Sequence, residues 1–504
     1  MKNSTQLLIF AAAILLAVAA CTIPGIPLGT AVAPTAGADL PPSPEIVIPL
    51  FHPQPVPPDF QPTPDAFHTL PEIQTEEQLY YVQTGDTLGI IANRFGISAE
   101  RIISHNGLLN PDLLSLGQEL RIPPPTPGQP APDIKLLPDS ELINGAYNAV
   151  FDLTALINSY GGQLAIYREE VEGDLLTGPQ IVQFVADNYS VNPRLLVALL
   201  EYQSGWLSGT PAHLDALSYP MGYADPNRAG LHKQLAFAAD RLNHGFYLWD
   251  INALGHYTTA DAILIPAQPT LNRGTVGLHV LFAALYPEAQ WRSVVAPDGF
   301  IQTYRALFGN PWDWSIDPLD TGITAQPALQ LPFEPGVGWY FTGGPHGGWD
   351  NGSAWAAIDF APPAPQLGCV QNNAWVTAAA DGLIVRSEYG AVVQDLDGDG
   401  NPATGWVILY MHIENRDRVA VGDFIQAGER IGHPSCEGGI STGTHLHIAR
   451  RYNGLWVSAD GPLPFILSGW SVVGTGIQYD GYLEKEGALI PACECQDPSN
   501  TTVR

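Results

Sequence analysis

The chain has 504 residues and a formal net charge of −29, from 21 Lys and Arg against 50 Asp and Glu. Such acidity argues against nucleic acid as a partner, because phosphate backbones need a cationic face, and against direct electrostatic docking on anionic lipid. Histidine is scarce, 13 in all, so any clustering of histidines carries information.

The first residues read as a targeting segment. Lys2 supplies a positive start, and Leu7 to Ala20 is an apolar run too short to span a bilayer comfortably. It ends Val18-Ala19-Ala20-Cys21, which resembles a bacterial lipobox. The resemblance implies removal of residues 1–20 and lipid on the Cys21 thiol. The mature chain is then expected outside the cytoplasm, attached to the cell membrane by lipid alone. Residues 21–78 are rich in Pro, Ala and Thr and read as an extended tether.

Residues 79–124 form a small unit. A strand leads into Gly85-Asp86-Thr87-Leu88, where Asp86 or Thr87 can cap a helix. Two short helices follow, Ile90 to Phe95 and Ala99 to Asn106, and Leu116 to Pro123 returns as a strand. The Gly-Asp-Thr-Leu turn, Asn106 and the Leu-x-x-Gly-Gln-x-Leu-x-Ile-Pro ending resemble a LysM domain. That resemblance implies binding of N-acetylglucosamine-containing glycan, chiefly peptidoglycan, through Gly85, Asp86, Thr87, Leu88 and the loop near Leu109 to Leu114.

Residues 125–139 read as a second Pro-rich linker, and 140–325 as a helical domain. Gln180 to Tyr189, Pro193 to Tyr202, Leu231 to Asn243 and Thr275 to Tyr286 show apolar residues at helical spacing. Asn188 to Trp206 resembles the start of lysozyme-like glycosidases, in which a helix ends on a catalytic Glu followed by Ser. The matching position here is Gln203, whose amide cannot act as an acid. Glu201, two residues earlier, lies about 200° around a helix from it. The expectation is a degenerate, lysozyme-like module that binds glycan or adds reach, with a muramidase using Glu201 as the alternative.

From 326 to 495, short Val, Ile, Tyr and Trp runs alternate with turn residues, as in an antiparallel β domain. Four pieces carry ligand-type side chains: Gly343-Gly344-Pro345-His346, Ile358-Asp359-Phe360, Tyr410-Met411-His412 and His445-Leu446-His447. Residues two apart on a strand share a face, so His445 and His447 can enter one groove. Hydrolytic zinc sites combine imidazole and carboxylate ligands with one open position for water. Together, and with Ser441 to Thr444 before the His-x-His, the pieces resemble the LytM/lysostaphin-type zinc peptidoglycan endopeptidases. The usual His-x-x-x-Asp version fails, because Trp355 stands four residues before Asp359. His346, thirteen residues before Asp359, instead resembles the β-lytic branch, whose first histidine lies on an earlier loop. The resemblance implies one zinc held by His346, Asp359 and His447, with His412 and His445 as catalytic imidazoles.

Four cysteines remain beyond Cys21, an even number that fits disulfides in an exported chain. Cys369 and Cys436 flank the ligand motifs and are the favoured pair, whereas Cys493 and Cys495 are too close for an unstrained bridge to be the default, which leaves a local bond, no bond or, less favoured, a soft metal site. Asp395, Asp397 and Asp399 resemble half of a calcium loop, but Trp406 stands where a bidentate Glu belongs, so an acidic hairpin tip competes with a loose Ca2+ site. Residues 496–504 form a tail.

The expected fold class is multidomain α+β: a βααβ LysM module, an all-helical middle domain and an antiparallel β-rich zinc peptidase domain. The expected function is zinc-dependent cleavage of peptidoglycan cross-links. Glycine-rich bridges suit the β-lytic resemblance, and links through meso-diaminopimelate or D-Ala are the alternatives. A non-catalytic peptidoglycan-binding protein or hydrolase activator is the rival from another class.

Overall fold

The computed structural model describes residues 67–504, apart from 73–75, 84–85, 96, 109, 112, 147, 149–150, 210–214, 318, 320–322 and 324. Cys21, Gly85, the segment 1–20 and most of the tether therefore lie outside the described residues. Among the described residues, no helix is long and apolar enough to cross a membrane.

The small module pairs β1 (Gln78–Tyr81) with β2 (Glu119–Ile122) antiparallel, and α1 (Leu88–Phe95) and α2 (Ala99–Asn106) lie between them in sequence. Thr87 caps α1, its hydroxyl accepting from Ile90 N at 3.2 Å. Asn106 locks α2 to β2: its Oδ1 accepts from Arg121 N and its Nδ2 donates to Arg121 O, both at 2.7 Å. Ile91, Ile102 and Leu120 form the fully buried centre of this unit.

The middle region is built on α3 (Gly178–Tyr189), α4 (Pro193–Ser204), α5 (Leu231–Asp250) and α6 (Arg273–Leu285). Asn192 caps α4, and Leu195 to Leu200 of that helix are wholly buried. At about 1.5–3 kcal/mol per large apolar side chain, such helices are held by burial rather than by propensity. The expectation of an all-helical region needs correction. Arg168–Val171 and Asp174–Thr177 form a hairpin, and Thr126–Pro127, Ile263–Pro266 and His256–Thr258 form a small sheet. The stretch expected as a linker also packs here. Ala131 N donates to Pro266 O at 2.8 Å, Leu136 and Leu137 are buried, and Arg273 pairs with Asp139 at 2.8 Å. Prolines cannot donate to a ladder, yet they occupy its edge without cost.

The C-terminal region centres on a nine-stranded sheet of the described residues, antiparallel at every pairing. Its strands are β3 (Gly338–His346), β4 (Ala357–Ala361), β5 (Gly382–Glu388), β6 (Ala391–Asp395), β7 (Trp406–Met411), β8 (Phe424–Ile425), β9 (Leu446–Tyr452), β10 (Leu455–Trp456) and β11 (Thr501–Val503). The order is β8-β5-β6-β7-β9-β4-β3-β11, with β10 folded back on β9.

Strand alternation divides two cores. Val392, Ile408, Tyr410, Leu446, Ile448, Ile358 and Phe360 face one way, into a core within the β region. Ala391, Val393, Val407, Leu409, Met411, Ala449 and Ala357 face the other way and share a core with α3 to α6. Asp359 and His447 lie in phase with this second set. The helical region thus covers part of the sheet face that also carries the ligand-type residues. Polar contacts reinforce the apolar ones: Ser190 Oγ donates to Gly454 O at 2.6 Å, Trp456 N to Tyr247 Oη at 3.0 Å, and Arg451 Nη1 to Asp187 O at 3.0 Å.

Candidate metal centre and substrate groove

Three strands deliver the central cluster. On β9, His447 is the cross-strand partner of both Asp359 on β4 and Met411 on β7. His346 ends β3 and reaches the same point because the β3–β4 register shifts twice, between Phe341 and Gly343 and between Gly343 and His346. Such bulges re-aim a side chain. The expected first ligand therefore sits at a strand end, not on a free loop. Gly343 makes room for the Asp359 carboxylate: a Cβ there would lie 2.5 Å from Asp359 Oδ2.

His346 Nε2 lies 2.9 Å from His447 Nδ1 and 3.2 Å from Asp359 Oδ1, and His447 Nδ1 lies 3.3 Å from that same oxygen. Donor atoms of a tetrahedral site with bonds of about 2.0–2.1 Å are about 3.4 Å apart. The outer nitrogens are occupied. His346 Nδ1 donates to Gly344 O at 2.8 Å and His447 Nε2 to Gly348 O at 3.2 Å. Each bond fixes a tautomer and turns a bare lone pair inward, the usual arrangement of ligating histidines. Asp359 Oδ1 is buried and has no well-aligned hydrogen-bond donor, despite the two nitrogens near it. Three acceptors converging on one point repel one another unless a cation or protons stand between them. The set fits zinc by donor type, separation and tautomer.

The three groups act strongly on one another's charge. Burial opposes charge on Asp359, but His346 and His445 outweigh it and hold the carboxyl well below its usual range. Burial lowers His346, yet Asp359 and the Gly344 carbonyl outweigh that and leave it raised. His447 is lowered by burial and by the neighbouring His346.

His412 and His445 stand beside this cluster, with ring centroids 4.4 Å apart. Their Nδ1 atoms are paired with backbone carbonyls, His412 with Glu437 O at 3.0 Å and His445 with Gly443 O at 2.7 Å. Both Nε2 atoms are left to work. Burial, with His445 and His447 nearby, pushes His412 down to about 3, so it stays neutral at physiological pH. His412 follows β7 with φ of +63°, in the left-handed region that non-glycine residues rarely adopt. Its carbonyl is held there by Ser435 N at 2.6 Å. Such strain is characteristic of functional sites.

A groove of about 260 Å3 opens onto this cluster, lined by residues that include Thr342, Asp359, Val370, Thr444, His445 and Glu494. A disulfide joins Cys369 to Cys436, with Cα atoms 5.7 Å apart. It anchors a groove wall whose Val370 N donates to Thr444 Oγ1 at 3.0 Å. A second bridge joins Cys493 to Cys495, the local bond that the sequence left open.

Other expected residues fall elsewhere. Asp86 accepts from Tyr80 Oη at 2.6 Å and Gln83 N at 2.7 Å, which hold its carboxyl below the usual range, and Leu88 is buried. Asp86 and Leu88 thus shape the turn directly. Glu201 is occupied as a cap, accepting from Leu207 N at 3.0 Å and Ser208 N at 3.1 Å, while Gln203 pairs with Tyr286. Asp395, Asp397 and Asp399 do converge, but their oxygens accept from the backbone of their own loop: Gly400 N on Asp395, Asp399 N on Asp397 and Asn401 N on Asp399. The acidic hairpin tip accounts for them, and the calcium expectation finds no support. Tyr479, which stacks on His346 at 4.2 Å, was not expected from sequence. It lies over a hundred residues away, and no local pattern marks it.

Three stretches of the chain match known families. Residues 80–123 match the LysM domain, 135–321 match the N-terminal domain of LasA, and 363–459 match peptidase family M23. The middle region thus matches the LasA N-terminal domain. Protease LasA of Pseudomonas aeruginosa is 28% identical over 297 residues, covering 54% of this chain. The chain spans 66% of that relative's length. The beta-lytic metalloendopeptidase of Achromobacter lyticus is 28% identical over 183 residues, covering 34% of this chain and 46% of its own. A solved structure described as a novel M23 metalloprotease, pseudoalterin from deep-sea, is 27% identical with a TM-score of 0.29, covering 33% of this chain and 96% of its own. Two stretches of this chain thus match known domain families, residues 80–123 the LysM domain and residues 363–459 peptidase family M23.

Proposed function

We propose that this chain is a zinc-dependent endopeptidase that cuts the peptide cross-links of peptidoglycan. The observation that carries the reading is the triangle of His346 Nε2, Asp359 Oδ1 and His447 Nδ1, with sides of 2.9, 3.2 and 3.3 Å and both tautomers set by backbone carbonyls. Zinc held there supplies a Lewis acid that activates water and polarises a peptide carbonyl. His445, which lines the groove, meets the substrate, and its free Nε2 takes up a proton and returns it to the leaving amine. His412 stays neutral behind it and steadies charge that builds on the reacting carbonyl. His346, Asp359 and His447 do not move, because the strand pairing and carbonyl contacts already fix them.

The LysM domain supports peptidoglycan as the substrate, by holding the chain on glycan through the turn that includes Gly85, Asp86, Thr87 and Leu88. In this reading Cys21 carries lipid, and the enzyme works outside the cytoplasm at a membrane surface. Purified protein is expected to hold about one zinc per chain and to release uncross-linked muropeptides from isolated cell walls. His447→Ala should lose both properties. A chain that binds no zinc and leaves cross-links intact would be a binding protein or activator instead.

A further inference from the structure

The lining of the groove carries a carboxylate that the proposed chemistry does not use. Glu494 lines the same cavity as Asp359 and Thr342. Among the described residues it has no ion pair or hydrogen bond, and no lysine or arginine lines the groove. Its base is fixed. The Cys493–Cys495 disulfide closes the turn around it. Asn500 Nδ2 donates to the carbonyls of Cys493 at 3.1 Å, Cys495 at 3.0 Å and Phe341 at 3.2 Å, and Cys493 N donates to Phe341 O at 3.1 Å. Phe341 precedes Thr342, which lines the groove, so the turn is riveted to the strand that ends in His346.

A carboxylate presented from a clamped turn loses little backbone freedom when it binds. It has no internal cation to satisfy it, and the chain as a whole is strongly acidic. An anionic substrate group is repelled there and a cationic one is paired. We propose that Glu494 is a specificity-determining residue whose carboxylate pairs with an ammonium group of the substrate peptide, so the groove favours peptides bearing a free amine near the scissile bond. Two sources share that chemistry, the α-amine of a peptide chain and the side-chain amine of a diamino acid. The inference rests on the endopeptidase reading and names its substrate class.

The test uses the full zinc-loaded chain and two matched peptide pairs. One is a glycine-rich peptide with a free or acetylated N-terminus. The other is a lysine-containing peptide with a free or acetylated side chain. The natural protein should favour the free amine in kcat/KM by about threefold to tenfold, and the pair showing the preference identifies the source. E494Q should bring the ratio close to one without changing thermal stability, and E494K should invert it. A preference that is absent in the natural protein, or that persists in E494Q, overturns the proposal. If no peptide is cut, the endopeptidase reading fails. Equilibrium binding of the same four peptides to the natural chain and E494Q then decides the role of Glu494 by the same ratio.

Discussion

Asp240 of the helical region accepts a hydrogen bond from Gly352 N at 2.6 Å, on the loop that follows His346. The approach is so close that a Cβ on Gly352 would lie 2.0 Å from Asp240 O. Tyr189 donates to Asp350 of the same loop at 3.0 Å. Gly348, also on this loop, supplies the carbonyl that orients His447. A helix far upstream in sequence thus braces the backbone that sets a ligand tautomer.

Breaking that brace should loosen the metal site without emptying it. Asp240→Ala is expected to weaken zinc affinity by about 10-fold, at the low end of the range for outer partners of metal ligands. Asp240→Asn keeps an oxygen acceptor and should restore most of the affinity. Chelator competition on both variants measures this, and equal affinity for all three proteins would show the loop to be held by other contacts.

Gly343→Ala places a methyl 2.5 Å from Asp359 Oδ2. The carboxylate must shift, costing about 1–3 kcal/mol as overpacking. The expected result is a folded protein, judged by circular dichroism, with reduced zinc content. Full zinc occupancy at limiting metal would contradict this reading of the glycine.

The helical region should weaken in mild acid. His279 is fully buried, packs on Tyr257 and Trp291, and has neither ring nitrogen hydrogen-bonded among the described residues. Burial pushes it down to about 3, and burial with nearby cations pushes His232 and His244 to about 4. Each folded value lies below the ordinary 6.5. Between the two values the unfolded chain binds protons that the folded chain refuses. Stability is therefore full above pH about 6.5 and falls as pH drops toward 4 and below. His279 alone accounts for a loss on the order of 3–5 kcal/mol once both states are protonated. His279→Leu should flatten the pH dependence of thermal unfolding over that window, and an unchanged slope would refute the assignment.

The Cys369–Cys436 bridge closes a loop of 67 residues. Replacing both cysteines with serine should cost about 4 kcal/mol of stability by the loop-entropy estimate. The groove wall at Val370 and Thr444 is tied to this bridge, so KM should rise while zinc content holds.

Glu201→Ala tests the glycosidase alternative. The carboxylate caps backbone N–H groups, so its loss should lower stability by about 1–3 kcal/mol. Glycan ends released from cell walls should not change. Loss of new reducing or anhydro-muramyl ends in this variant would instead assign it catalysis.

Parts of this site are legible locally. A His-x-His on a strand puts both imidazoles on one face whatever surrounds it, and the LysM turn and Asn106 announce a self-contained unit. Around Asn188 to Trp206 the local pattern is shared by two arrangements. A buried amphipathic helix ending in Glu and Gly is also what a core helix with a capping carboxylate looks like. Alternation in β6, β7 and β9 shows that both sheet faces are apolar, yet it cannot say that one face packs on α3 to α6.

By itself the sequence determined the ligand types, their order and the strand periodicity that points them inward, because side-chain chemistry and two-residue alternation are properties of short segments. Only the tertiary structure decided that His346 completes the set in place of a residue at 355, since two register shifts between β3 and β4 bring it there. Tertiary packing alone also placed Tyr479, Glu494 and Asp240 around the site. Those contacts join segments distant in sequence, and burial across separate elements leaves no periodic mark in any one of them.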